Sequence, residues 1–486
     1  MPIILLIITS FMVHSCVEKE QREFRGSYEK DVSDQDSIGK TEQRPRDGMD
    51  QDPPAGGNDN GDSPGSGAGT GTGTGDDNDT IPENPPPKTN KGYKKPSPHK
   101  YPDDYNNQNT APNKILLTFG EKPASEIRIA FSAKNAKNQN SGTIYLSKTQ
   151  RNGDTSAYEI KKEAENNMGS TCSGLPFFSA NIKDLDPYTT YYFVLELGSE
   201  KTKEMHFMTA PANDQTSFKL LAGGDSRSNI NKRIQMNKQL ATLFENDANY
   251  LALVHGGDFI SDGEECDQWE DWLDNHQHTM TPSGRVLPVI ATFGNHETGG
   301  EDIYSAIFGD PKGNGDFYFH SSFGGINLVI LNSEISVEGR QKDWLSSTLK
   351  ELSSEKAFTI PSYHRPAYPG QKSPGSTTAW VPLFEENKVR LVLESDGHIL
   401  KQTCPILNDK CREGGVIYVG EGGLGVDQRS ADRKKEWYFE NGGYAKSQHH
   451  VQSIELIADD NGPKDLVYQV YYDNSFRHRI KMSLAD

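Results

Sequence analysis

Between residues 216 and 450, short apolar runs of strand length alternate with helix-like stretches, and five polar clusters each begin where a strand-like run stops. FKLLAGG (218–224) ends at Asp225, YLALVHGG (250–257) at Asp258, and VLPVIATFG (286–294) leads into GNHE (294–297). AFTIPSYH (357–364) delivers His364, and VRLVLES (389–395) is followed by Asp396 and His398. Helix-like stretches fall at 231–246 and around 340–352. This alternation predicts α/β layering. Ligand sites in such folds lie beyond the carboxyl ends of the strands.

The residue types in these clusters suit one chemistry. Hard divalent cations need carboxylate, imidazole and amide-oxygen donors that converge from separate elements. Asp225, Asp258, Asn295, His364, Asp396 and His398 supply such a set, enough for two cations that share one carboxylate. Net charge is −18. A surface that acidic repels nucleic acid and predicts no nucleic-acid partner. It also means that an anionic substrate needs a local positive centre.

The five clusters in order resemble the calcineurin-like metallophosphoesterase family, with its pattern D-x-H, G-D-x-x-x-x-G, G-N-H-[DE], a lone H, and G-H-x-H. Gln268-Trp269 and Gln341-x-x-Trp344-Leu345 resemble positions in its purple-acid-phosphatase-like branch. The resemblance implies a four-layer α/β/β/α domain over 214–486 and a hydrolase acting on small-molecule phosphomonoesters, with phosphodiesters as the lesser option. It implies two divalent metal ions (Mn, Fe, Zn or Mg) with a hydroxide held between them as nucleophile. Asp258 resembles the bridging ligand. Asp225 and His398 complete one site, and Asn295, His364 and Asp396 the other. His296 then serves the leaving oxygen, and Glu297 orients His296.

Three positions depart from the family pattern. Arg227 replaces the histidine of D-x-H and cannot ligate a metal. It either grips a phosphate oxygen or pairs with a nearby carboxylate. Ser261 stands where the purple enzymes carry tyrosine, which predicts divalent metals without charge-transfer colour. Ser395-Asp396-Gly397-His398 stands for G-H-x-H. Another register would match Gly397-His398 to the first pair and place Leu400 last, but the strand-like LVLES favours the first. Asp396 in place of histidine makes the second site more anionic and favours Mn or Mg over Zn. These departures motivate an alternative reading, a degenerate family member acting as a surface binding lipoprotein. Tyr363, Arg365 and Tyr368 flank His364 as candidate substrate contacts. His255 reads as a packed core histidine, and His449-His450 as surface or linker.

Upstream, residues 112–210 alternate apolar and polar residues in short runs separated by turns, the pattern of a β-sandwich. KDLDPYTTYYFV (183–194) resembles the hallmark of fibronectin type III-like domains, and Met208-Thr209-Ala210-Pro211 the exit that joins such a domain to the catalytic half in purple acid phosphatases. This predicts an all-β fibronectin type III-like domain over 111–213.

Mean hydropathy is −0.75, a deficit concentrated in residues 17–110. There GSGAGTGTGTGDDND (65–79) and PENPPPK (82–88) cannot bury enough apolar surface to offset chain entropy. This segment reads as an acidic, Gly- and Pro-rich tether. Residues 1–16 read as a lipoprotein signal peptide. The apolar run IILLII (3–8) is too short to span a bilayer, which takes about 20 residues, and it ends at Val13-His14-Ser15-Cys16, with Cys16 as the lipidation site. No Lys or Arg precedes the run. The reading predicts an exported chain, lipid-anchored to the cell envelope, periplasmic or at the cell surface, with the membrane as partner. Export permits disulfides. Of Cys172, Cys266, Cys404 and Cys411, the last two flank a short loop and form the expected pair, while the full connectivity stays open.

Overall fold

The computed structural model describes residues 112–484 apart from residues 134, 135, 137, 138, 170, 432–435, 473 and 474. The signal, Cys16 and the tether lie outside the described residues.

The first eight strands are β1 (Asn113–Thr118), β2 (Ile127–Ser132), β3 (Ser141–Ser147), β4 (Ile160–Asn166), β5 (Phe177–Ile182), β6 (Thr190–Leu197), β7 (Glu200–Lys201) and β8 (Met205–Met208). They pair antiparallel in the order β1-β2-β5-β4-β3-β6, with β7 and β8 both on β6. Alternate side chains of a strand point to opposite faces. Ile129, Phe131, Ile144, Leu146, Phe193 and Leu195 thereby fill one core. This is the all-β domain expected from the alternation.

The α/β part follows with β9 (Phe218–Gly223), α1 (Ile230–Asn246), β10 (Tyr250–His255), α2 (Cys266–His276), β11 (Val289–Ala291), α3 (Glu301–Phe308), β12 (Phe319–Ser322), β13 (Ile326–Ile330) and α4 (Arg340–Leu352). It continues with β14 (Phe358–Ser362), α5 (Val381–Glu386), β15 (Leu391–Glu394), β16 (Leu400–Gln402), β17 (Ile417–Gly420), β18 (Tyr444–Lys446), β19 (Val451–Asp459), β20 (Gly462–Tyr472) and β21 (Ser475–Ser483). Strands β9, β10 and β11 are parallel, and β19–β21 extend that sheet as an antiparallel meander. A second sheet runs β12-β13-β14-β15-β17-β16-β18, with β13, β14, β15 and β17 parallel.

Both faces of these parallel strands are covered, which is why they read as continuous apolar runs. Leu220, Ala222, Val254 and Ile290 of the first sheet meet Leu328, Ile330, Ile360 and Leu393 of the second. On the outer face of the first sheet, Met236, Leu240 and Phe244 of α1 cover Leu221 and Leu253. Behind the second sheet, Leu345, Leu349 and Leu352 of α4 and Phe384 of α5 cover Val329 and Val392. Each of the larger side chains contributes about 1.5–3 kcal/mol by leaving water. The result is the predicted α/β/β/α layering.

The two parts are not separate sheets. Strand β1 pairs with β2 on one side and, through Thr118 and Val289, with β11 on the other. The expected boundary near residue 213 falls between β8 and β9, and the sheet runs across it. Ile115 exchanges two backbone hydrogen bonds with the Gln277 amide, and Lys114 pairs with Glu270 and Asp274 of α2. A Cys172–Cys266 disulfide ties the loop before β5 to the start of α2. The expected Cys404–Cys411 disulfide is also present.

Candidate metal centre

Each predicted donor sits just past a strand. Asp225 follows β9, Asp258 follows β10, Asn295 opens the turn after β11, His364 follows β14, and Asp396 and His398 follow β15. Parallel β9, β10 and β11 align in register, Leu221 with Leu253 and Leu253 with Val289, so their ends converge.

Four of the six donors adopt left-handed backbone: Asp225 (φ 55°), Asp258 (φ 57°), Asp396 (φ 68°) and His398 (φ 56°). Such conformers cost on the order of 1–2 kcal/mol each and persist where surrounding bonds impose them. Those bonds are present. Asp225 N–H donates to Gly257 O at 3.0 Å, Asp258 N–H to Glu297 Oε2 at 2.9 Å, and Asp396 N–H to Asp225 Oδ2 at 3.0 Å.

The donors form two groups, Asp225, Asp258 and His398 in one and Asp258, His364 and Asp396 in the other, with ligand atoms within 4.8 Å of one another inside each group. In the first, His398 Nε2 lies 3.3 Å from Asp225 Oδ1, and both atoms are buried without a hydrogen-bond partner. Unpaired buried polar atoms are costly, and a cation between them removes that cost. In the second, His364 Nδ1 donates to Gly256 O at 2.8 Å. That fixes the ring and turns Nε2 toward the oxygens of Asp258 (3.1 Å), Asn295 (3.1 Å) and Asp396 (3.7 Å). The residues present therefore fit two cations that share Asp258.

Charge dominates the electrostatics. Burial opposes ionisation of Asp258, but His364, His296 and Arg227 outweigh it and hold the carboxyl well below the usual range. Burial would likewise lower His364, but Asp258, with Asp225 and Asp396, pushes it well above the ordinary imidazole value.

Arg227 Nε meets Asp258 Oδ2 at 3.2 Å, the second of the two roles open to it from sequence. Asp396 pairs with Lys372, a residue the sequence reading missed. His296 stands at the edge, its Nδ1 2.6 Å from Ser261 O and its Nε2 3.8 Å from Asp258 Oδ2.

Glu297 does not touch His296, so the expected orienting role is corrected. Its buried carboxylate accepts the N–H groups of Asp258, Phe259 and Gly294 at 2.8–2.9 Å. Burial, then the neighbouring Asp258, pushes its carboxyl up to about 8. Glu297 thus braces the bridging aspartate, and Ser261 O orients His296. Gly294 must lack a side chain there, since an added Cβ would sit 2.6 Å from Asp258 N.

Several flanking residues do other work. Tyr363 hydroxyl donates to Glu394 at 2.7 Å, Tyr368 hydroxyl faces Asp409, and Arg365 forks onto Glu334. His255 is the packed histidine expected, stacked on Phe259 with Nε2 2.9 Å from Ser226 Oγ. His450 is fully buried rather than surface or linker, packed against Gly423, and His449 is half-buried with Nε2 against Val426 O. Gln268 Oε1 accepts the N–H of Ser261 and of Asp262, supporting the loop after Asp258. Gly422 was also missed. It adopts φ 85°, and a Cβ there would lie 2.2 Å from Asp225 Oδ2. The signal was available in GEGGLG (420–425), a glycine cluster at a strand end.

Residues 219–401 match the family model of the calcineurin-like phosphoesterases. With the layered fold and two donor groups sharing one aspartate, this segment is a calcineurin-like phosphoesterase domain, a hydrolase domain whose family uses a dinuclear metal centre. The whole arrangement is similar to the purple acid phosphatase PPD1 from yellow lupin (Lupinus luteus) seeds, at 16% identity and TM-score 0.63, covering 77% of this chain and 74% of that one. That share exceeds residues 214–486 alone, so the likeness extends into the β-rich domain. PhoD is similar at 11% identity and TM-score 0.57, covering 78% of this chain and 90% of that one. No curated protein matches the chain by sequence.

Proposed function

We propose that this chain hydrolyses phosphomonoesters at the centre formed by Asp225, Asp258, Asn295, His364, Asp396 and His398. The observation that carries the reading is the sharing of Asp258 between two buried donor groups. Asp225 and His398 would hold one cation with Asp258, and Asn295, His364 and Asp396 the other. When bound, two divalent cations supply Lewis acidity toward the phosphoryl oxygens and an activated water. The chain supplies the rest. His296 donates from Nδ1 to Ser261 O, which accepts only, so the ring offers a proton at Nε2 only in its doubly protonated form. In that form it protonates the leaving oxygen, with the Ser261 carbonyl stabilising its charge. Arg227, paired through Nε with Asp258, would meet a phosphate oxygen only through its other guanidinium N–H groups.

On sequence grounds we further propose that Cys16 carries lipid and tethers the chain to the cell envelope through residues 17–110.

The pairing of Arg227 with Asp258 and of Lys372 with Asp396 favours a second reading, a binding lipoprotein whose internal cations replace metals. Elemental analysis and turnover of p-nitrophenyl phosphate on the wild type, Asp258→Ala and Asn295→Ala separate the two. A phosphoesterase shows close to two metals per chain and loses both metal and turnover in either variant. A variant with wild-type turnover refutes the site. A metal-free, inactive wild type under added Mn, Mg, Zn or Fe moves the reading to the binding protein.

A further inference from the structure

Among the described residues, three cationic side chains stand on the Asp396 side of the centre, and they differ in what they hold. Arg365 is committed to both oxygens of Glu334. Arg429 donates to the backbone oxygens of Asp396 and Gly397. Lys372 alone of the three pairs with a carboxylate that is itself a candidate metal ligand, Asp396 Oδ1. Its segment is anchored at Gly370, whose N–H donates to Glu421 and whose Cα leaves no room for a Cβ beside Ile399 Cδ1. From Gln371 the chain is largely exposed until the short helix Ser376–Trp380, and the Lys372 side chain keeps 39% of its surface in solvent.

The pairing accounts for a departure from the family pattern. Aspartate at 396, where the pattern has histidine, adds a negative charge to a centre that already holds Asp225 and Asp258. Lys372 neutralises it in place. An ammonium and a divalent cation compete for the same carboxylate oxygen. Lysine carries its charge on a flexible four-carbon stem, so displacement moves the ammonium without moving the backbone. In a chain of net charge −18, a cation released beside the centre attracts an anion that the rest of the surface repels.

We propose that Lys372 is an exchangeable counter-ion: it holds Asp396 until a divalent cation takes that carboxylate, and it then binds the dianionic phosphoryl group of a monoester. A phosphodiester carries one negative charge less and gains less from it. The proposal rests on the phosphoesterase reading above and assigns Lys372 a part in substrate selection.

The test uses the full chain with Lys372→Met and Lys372→Arg. Calorimetric titration with Mn²⁺ reads the first half, and kinetics on p-nitrophenyl phosphate and bis-p-nitrophenyl phosphate read the second. Lys372→Met should bind Mn²⁺ about tenfold more tightly, because no ion pair must be broken. The same variant should raise KM for the monoester about tenfold with kcat little changed, leave the diester KM nearly unchanged, and be partly rescued by Lys372→Arg. Opposite signs in the two assays are the signature, since a loop merely disordered by the substitution would weaken both. Mn²⁺ affinity that stays the same or falls, or a KM that rises equally for both esters, overturns the proposal. A wild type that takes up no Mn²⁺ and turns over neither ester overturns the phosphoesterase reading itself.

Discussion

Glu297→Gln tests the corrected role of that carboxylate. The substitution keeps shape and exchanges one acceptor oxygen for a donor NH₂. Glu297 Oε2 accepts from Asp258 N and Gly294 N, and Oε1 from Phe259 N. The less costly orientation keeps the amide oxygen on the first two and sets NH₂ against the Phe259 N–H. One buried bond is lost and two donors meet, at a cost of about 2–4 kcal/mol. The local consequence matters more. The donor clash pushes away Phe259, the residue bonded to Asp258, whose left-handed backbone (φ 57°) is thereby disturbed, so its carboxylate drifts relative to His364 and Asp225. Metal affinity should fall about 10–100-fold, the usual size for a lost supporting partner. Denaturant melts in the presence of chelator give the stability change, and calorimetric Mn²⁺ titration gives the affinity. If Glu297 instead served His296, metal affinity would be intact and only esters with poor leaving groups would slow. That outcome would refute the bracing role.

Replacing Cys172 and Cys266 together by serine opens a linkage across 94 residues. Chain entropy predicts a loss of about 4–5 kcal/mol, readable as a lower denaturation midpoint, while turnover at low temperature persists because neither residue is one of the donors. Burial pushes His276 and His450 down from their ordinary value to about 4. Both stay neutral in the fold and take up protons on unfolding below about 6.5, so stability present above that pH is lost as pH falls toward 4, at about 1.4 kcal/mol per pH unit per histidine. His450→Asn should flatten that slope in pH-dependent melts, and an unchanged slope would count against the assignment.

The placement of the donors was legible because parallel strands covered on both faces are written as unbroken apolar runs. Where such a run stops, the chain leaves the core and polar residues begin. Asp225, Asp258, Asn295 and His364 each stand at such an edge, and no long-range information is needed to see it. What was not legible depends on alignment between strands. Glu297 reaches the N–H of Asp258, 39 residues upstream, only because β10 and β11 lie side by side in register. From the sequence its nearest visible partner was the adjacent His296. Cys172 and Cys266 meet because β1 joins β11 and carries the β-rich domain onto α2, a pairing no local pattern records. His450 follows a charged, turn-rich stretch and reads as exposed, yet β19 begins at Val451 and draws it under Gly423.

The departures from the family pattern show the same division. Taken one at a time, Arg227 and Asp396 look like losses, a ligand replaced by a cation and an imidazole replaced by a charge. In the fold each change is matched. Arg227 sits on Asp258, the carboxylate that two cations would share, and Lys372 sits on Asp396. Three buried carboxylates with two imidazoles need positive charge from some source, and two of the three pair with a cationic side chain of the chain itself. The third, Asp225, keeps an oxygen with no hydrogen-bond partner, facing the equally unpaired Nε2 of His398. Those two buried atoms lie 3.3 Å apart, between the ends of β9 and β15. An ion that binds both atoms relieves their cost, which weighs the arrangement toward a metal site.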